Sequence, residues 1–377
     1  MVAVTGATGH LGTVLVHRLI ADGEEVRYVA RPTSDSRGLY DLPAGTARRV
    51  DAELFDVDAL ARAFDGAAVV YHVAGMISFM RGDGEALHRV NVEGTKAVLA
   101  AARRAAVPRL VYVGTIEAFS LEDGDFPITE ETPIDPDRTV MDYGRTKALA
   151  MQLVLASGTE PAGHSGTNAT GTSGGTELAT GTPAGTSAGT EPECVVCAPT
   201  AFLGPPDYRL SSLGRFVLDT VRGRLPLAVN GGFDFVDVRD VADGVVRAGE
   251  RGASGRVYLL GGEYATIPDI IGALEEASGV ARPLVKLPVR AILPFAGIVH
   301  LYCRITGRPP RFTRGSLRLL SLGVRVDSSR ARDELGYQTR PLRETLSDTV
   351  GWFADEGLVR LDAAWDAGAD RATGPAE

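Results

Sequence analysis

Long apolar runs, lysines and cysteines are all scarce in this chain of 377 residues, and each scarcity removes a class of function. The best apolar candidate, from Ala291 to Cys303, is interrupted by His300 and is shorter than the ~20 residues that a membrane span needs, so it reads as an amphipathic core or lid helix. Met1 leads directly into Val2-Ala3-Val4 with no basic or long apolar leader, and no secretory signal is expected. Cys194, Cys197 and Cys303 are too few to staple a chain of this size, and their odd number fits a reducing compartment, the cytoplasm by default. Positive charge is in deficit as well. A formal net charge of −9 disfavours nucleic acid or an anionic membrane as partner and leaves a small-molecule ligand as the expectation. The six histidines form no zinc-type pair, and no metal site is expected.

What is present is ample apolar material, 44% of the chain, enough to bury a large core. From Val2 to Val113 short apolar runs (Val2 to Val4, Val26 to Val29, Val69 to His72, Leu110 to Val113) alternate with helical patterns beginning near Leu11, Ala59 and Val92. That alternation predicts βαβ units stacked into an α/β, doubly wound parallel sheet. Ser157 to Pro192 breaks the pattern with seven Gly-Thr dipeptides and a single large aliphatic residue, Leu178, and reads as a disordered insertion. The expected organisation is a dinucleotide-binding region over 1–156, the insertion over 157–192, a region over 193–355 that interweaves the last sheet strands with a smaller substrate-binding lobe, and a tail over 356–377. Val195 and Val196 should resume a strand, Phe235 to Val238 should return to the sheet, and Leu342 to Phe353 has helical spacing.

Three clusters carry chemistry. Gly6, Gly9 and Gly12 sit where the first strand turns into the first helix, in the segment Thr5-Gly6-Ala7-Thr8-Gly9-His10-Leu11-Gly12. Glycines there permit a tight turn and close backbone approach to a pyrophosphate facing the helix N-terminus. The second strand then ends at Arg31, 19 residues after Gly12, where an acidic residue would bind the free ribose of NAD. A guanidinium instead suits a 2′-phosphate, with Ser34 and Arg37 near enough in sequence to assist, so NADP is the expected cofactor and NAD the alternative.

The third cluster is Tyr143-Gly144-Arg145-Thr146-Lys147. On a helix, phenol and ammonium four residues apart share a face, and the ammonium is expected to bring the phenol's pKa toward working pH for general acid and base work. Lysine is rare here, Lys96, Lys147 and Lys286 against a background of arginine, which makes this compact ammonium more telling. Thr115, 28 residues before Tyr143 and at a strand's carboxyl end, can align a substrate oxygen with the phenol. By contrast Cys194 and Cys197, though spaced like a redox pair, lie on a strand where residues three apart face opposite sides.

Taken together, these residues resemble the extended short-chain dehydrogenase/reductase superfamily, in its NAD-dependent epimerase/dehydratase and dihydroflavonol-reductase-like branch, over nearly the whole chain outside the insertion and tail. Further matches are His72-Val73-Ala74-Gly75, Asn91-Val92-Glu93-Gly94-Thr95, Phe235 to Ala242 and Leu335-Gly336-Tyr337. The resemblance implies a Rossmann-type fold. It implies catalytic roles for Thr115, Tyr143 and Lys147, and cofactor contacts from Thr8, His10, Leu11, Glu53, Leu54, Val73, Ala74, Gly75, Pro199 and Thr200, with Lys147 also on the nicotinamide ribose. Glu117 and Phe202 are implied on the substrate side, and a homodimer is a family expectation.

Two departures bear on substrate. Ile116 stands where sugar-nucleotide dehydratases of this type carry an acid in Thr-Asp-Glu, and Ala198 stands where many relatives carry the Asn of Asn-Pro, whose amide contacts a diphosphate. The expected function is an NADP-dependent carbonyl reductase or alcohol dehydrogenase acting on a small organic substrate. A sugar or nucleotide-sugar epimerase/dehydratase and a non-catalytic NADP-sensing protein remain open.

Overall fold

Val2–Thr5 (β1), Val26–Ala30 (β2), Val69–His72 (β4) and Arg109–Val113 (β5) are rich in β-branched residues buried on both faces, the composition of strands covered by helices on either side. In the computed structural model, which describes residues 1–80, 82–121, 127–158, 191–225, 227–279, 285–288 and 314–360, they join Ala47–Asp51 (β3), Glu193–Pro199 (β6) and Val257–Leu260 (β10) in a seven-stranded parallel sheet. Its order is β10-β6-β5-β4-β1-β2-β3, a Rossmann-type doubly wound sheet whose strand order reverses between β1 and β4. Ligands bind outside the carboxyl ends of such strands, at that reversal.

The helices His10–Ala21 (α1) and Val238–Arg251 (α7) cover one face of the sheet, and Val57–Phe64 (α2), Gly94–Arg104 (α4) and Asp142–Gly158 (α5) the other. A short helix, Gly84–His88 (α3), and a wide π turn, Arg89–Glu93, lead into α4. Two apolar clusters result, and Cys194 lies in one while Cys197 lies in the other. Both thiols are buried and pushed up by that burial, which leaves them unreactive.

Beyond the main sheet, Ala201–Leu203 (β7), Gly232–Asp237 (β9) and Glu263–Thr266 (β11) form a separate three-stranded sheet in the order β11-β9-β7. The strand expected over Phe235 to Val238 therefore belongs to this smaller sheet and does not return to the large one, and Val238 already opens α7. The seventh parallel strand is β10. Ser212–Val221 (α6), Leu227–Asn230 (β8), Ile267–Ser278 (α8), Val285–Pro288 (β12), Arg314–Leu322 (α9) and Leu342–Asp355 (α10) complete the described elements. Asp237 caps α7 and pairs with Arg239, which also reaches Asp348 at 2.7 Å and so ties α7 to α10.

Of the insertion expected over 157–192, Ser157 and Gly158 still belong to α5, and residues 159–190 lie outside the described residues, as do the helix expected between Ala291 and Cys303 and residues 361–377 of the expected tail. The two ends of the insertion are neighbours, since a Cβ on Gly158 would sit 2.9 Å from that of Cys194.

Candidate active site

Gly6 has a φ of +76°, and a Cβ there would come within 2.5 Å of the Ala74 amide nitrogen, so the first turn packs directly against the loop that leaves β4. A Cβ on Gly12 would lie 2.1 Å from the Gly6 carbonyl, which closes α1 onto the same turn. Gly9 differs: its Cβ would meet only that carbonyl, at 3.3 Å, so the protein itself hardly demands a glycine there. A bare backbone at Gly9 instead suits the approach of a phosphate to the N-terminus of α1, whose first turn carries no acidic residue. Among the described residues one buried polar atom on this side lacks a protein partner, Nδ1 of His10. His10 Nε2 is 2.8 Å from the Gly204 carbonyl, and its ring lies 5.7 Å from that of Phe202. These features fit a bound dinucleotide.

Arg31 is exposed at the end of β2, and among the described residues its guanidinium has no ion-pair partner. Arg37, expected beside it, is engaged elsewhere: it pairs with Asp35 at 2.8 Å and donates to the Tyr208 carbonyl. The residue that shapes this loop is Arg49 of β3, which donates to the carbonyls of Arg31 and Pro32 and to the Ser36 hydroxyl. Sequence reasoning missed Arg49 because it missed β3. Ser34 contributes a backbone turn to Arg31, Glu53 stays exposed, and Leu54 packs where a Gly94 side chain would be.

At the carboxyl end of the central strands the remaining residues converge. Lys147 donates to the Val113 carbonyl at 2.7 Å, lies 4.3 Å from the centre of the Tyr112 ring, and faces Gly75 across the cleft. Burial pushes its ammonium down to about 7. Tyr143, one turn earlier on α5, is buried beside the Thr115 hydroxyl, and burial followed by the nearby Glu117 pushes its phenol well above the usual range. The expected lowering of the phenol by Lys147 is therefore not what the fold produces. The ammonium is spent on a backbone carbonyl and an aromatic face, and desolvation outweighs it. The phenol is therefore neutral.

Glu117 lies two residues beyond Thr115, in the short turn that Thr115 caps, with Oε2 enclosed and without a partner among the described residues, and burial raises its carboxyl to about 8. Ile116 points into the core, and Ala198 is buried within β6. Pro199 ends β6, where the Thr200 amide donates to Leu260.

Asn91, in the π turn, was legible only as part of a helix start. Its side chain bonds both the amide and the carbonyl of Met76 (2.8 and 3.0 Å) and donates to Thr146 at 3.1 Å, so it locks the loop after β4 to α5. Behind it, Thr95 donates to the Asn91 carbonyl and so accepts from His72 Nε2, while His72 Nδ1 meets Thr5. Burial, aided by Lys147, holds this imidazole neutral, down to about 3.

The model of the NAD dependent epimerase/dehydratase family matches residues 2–171. Sterol demethylase protein B of Methylococcus capsulatus is 35% identical over 94% of this chain and 99% of its own length. The chain is a member of the extended short-chain dehydrogenase/reductase family. A putative dihydroflavonol 4-reductase of Synechocystis is 29% identical over 95% of each chain. Among solved structures, gox2253 superposes with a TM-score of 0.76 at 30% identity, covering 96% of this chain and 99% of its own. This short-chain dehydrogenase/reductase is accordingly an enzyme that depends on a nicotinamide dinucleotide, in an epimerase/dehydratase family whose members similar to this chain include proteins named as reductases. Among the described residues no helix is long and apolar enough to cross a membrane.

Proposed function

We propose that this enzyme interconverts a secondary alcohol and a ketone with NADP as its cofactor, and that net reduction is its chemistry. One observation carries the reading: a buried, neutral Tyr143 phenol beside the Thr115 hydroxyl, at the carboxyl edge of a sheet whose β2 is followed by Arg31, a guanidinium without an ion-pair partner among the described residues. Bound nicotinamide supplies or accepts the hydride. Tyr143 gives its proton to the substrate oxygen, and Thr115 donates a second hydrogen bond that holds that oxygen in line. Lys147, its ammonium pushed down to about 7 by burial, would bind the nicotinamide ribose and return a proton toward Tyr143. Arg31 and His10 would hold the 2′-phosphate and pyrophosphate side of the cofactor, Pro199 and Thr200 would lie beside its nicotinamide, and the three glycines would admit its backbone contacts.

Ile116 and Ala198 support the choice against sugar nucleotides, because neither offers an elimination acid or an amide for a diphosphate. A redox-neutral epimerase is the second reading, favoured by Glu117, whose unpartnered Oε2 near Tyr143 could abstract a proton next to a transient ketone. Tyr143→Phe tests the proposal: turnover of NADPH with a ketone substrate should fall by at least a hundredfold while NADPH affinity stays within about threefold. Near-normal turnover in that variant would remove the phenol from the chemistry.

A further inference from the structure

The loop that leaves β4 carries Met76, Ile77, Ser78, Phe79 and Met80, and its backbone is pinned by polar bonds. Asn91 holds Met76 from both sides, the Met80 amide donates to the Ser78 hydroxyl at 3.1 Å, and that hydroxyl donates to Asp83. Thus fixed, the loop turns apolar side chains outward. Ile77 is 61% exposed and Met80 37%, two of the four large hydrophobic residues left exposed among the described residues. Phe79 stands edge-on to Tyr143, ring centres 6.1 Å apart at 88°, so the apolar strip is continuous with the proton donor.

A scattered surface leucine needs no explanation, but an apolar strip anchored by polar bonds and running into an active site does. Two of the chain's five methionines lie within these five residues, and methionine adapts its shape to irregular apolar partners. The charged groups bordering the strip include Asp83 and Asp142, the latter 3.4 Å from where a Gly84 Cβ would stand. An apolar strip of this kind suits an uncharged body, since burying a charge against it without a partner is costly.

We infer that residues 76–80 form a ledge for the body of a bulky, uncharged, fused-ring alcohol or ketone whose oxygen reaches Tyr143. The inference rests on the redox reading above and names its substrate class. A rigid ring system suits a pinned ledge because neither side loses much conformational freedom on contact.

The test uses three ketones with the same reacting group and growing apolar bodies: cyclohexanone, a bicyclic decalone and a tetracyclic 3-ketosteroid. NADPH oxidation should show kcat/KM rising at least tenfold from the first to the last. Ile77→Asp and Met80→Asp should each lower the ratio of kcat/KM for the tetracycle to that for cyclohexanone at least tenfold, while Ile77→Leu retains it. Equal kcat/KM along the series, or an equal loss on every ketone, overturns the ledge. Should none of the three consume NADPH, the redox reading fails and the ledge is judged by equilibrium dialysis of the tetracycle against the NADPH-loaded protein. Saturable binding weakened tenfold by Ile77→Asp upholds it, and absence of saturable binding overturns it.

Discussion

The carbonyl of Glu117 lies so close to Gly144 that a Cβ on that glycine would stand 2.3 Å from the oxygen. This contact lets α5 settle onto the turn after β5 and brings Tyr143 and Thr115 together from two different elements. A backbone oxygen has little room to yield, so Gly144→Ala must push α5 outward. The expected result is a loss of about 1–3 kcal/mol in stability together with a fall in kcat larger than any change in NADPH affinity. Urea unfolding and steady-state kinetics of the variant check it, and unchanged values would mean that the contact relaxes freely.

Glu117 gives a pH signature. Its carboxyl is raised to about 8 by burial, against an ordinary value of 4.5. Between those limits the folded protein keeps a proton that the unfolded chain releases, so this group's contribution is fully present below about pH 4.5 and is lost as pH rises to about 8. Glu117→Gln stays neutral throughout. Its stability relative to the parent should therefore improve steadily from pH 5 to pH 8, by up to about 1 kcal/mol per pH unit. Urea melts at three pH values decide it, and a constant offset between the two proteins would place the carboxyl in water.

Arg31 makes the cofactor reading testable by itself. Replacing an exposed guanidinium at the end of β2 with a carboxylate should not disturb the fold, since Arg49 holds the loop through main-chain carbonyls. Arg31→Asp should lower the ratio of NADPH to NADH efficiency by at least tenfold, because a carboxylate repels the 2′-phosphate and accepts from a free ribose hydroxyl. An unchanged ratio would assign Arg31 to the solvent.

The parts of this molecule that were legible in the sequence are those specified by local pattern. β1, β2, β4 and β5 are apolar runs between helical repeats, and the spacing of Tyr143 and Lys147 on α5 follows from helix geometry. β3 was illegible because an edge strand reading Ala-Arg-Arg-Val-Asp lacks apolar alternation, and Arg49 was lost with it. β9 was placed in the wrong sheet because a strand's partners, β7 and β11, are chosen by tertiary packing that no local pattern encodes. The protonation of the site was misjudged for a related reason. Pairing Tyr143 with Lys147 on one helix face ignores depth, and burial governs both groups.

The central claim is net transfer of hydride to a carbonyl carbon, with the proton supplied through Tyr143. The direct measurement incubates the enzyme with NADPH deuterated at the transferred position of C4 and a ketone substrate, following nicotinamide absorbance and the product by mass spectrometry. The account predicts one NADPH consumed per alcohol formed, with the deuterium on the new carbinol carbon. Unchanged nicotinamide absorbance, with deuterium entering a substrate stereocentre in a parallel incubation in heavy water with unlabelled NADPH, would contradict it and establish the enzyme as a redox-neutral epimerase.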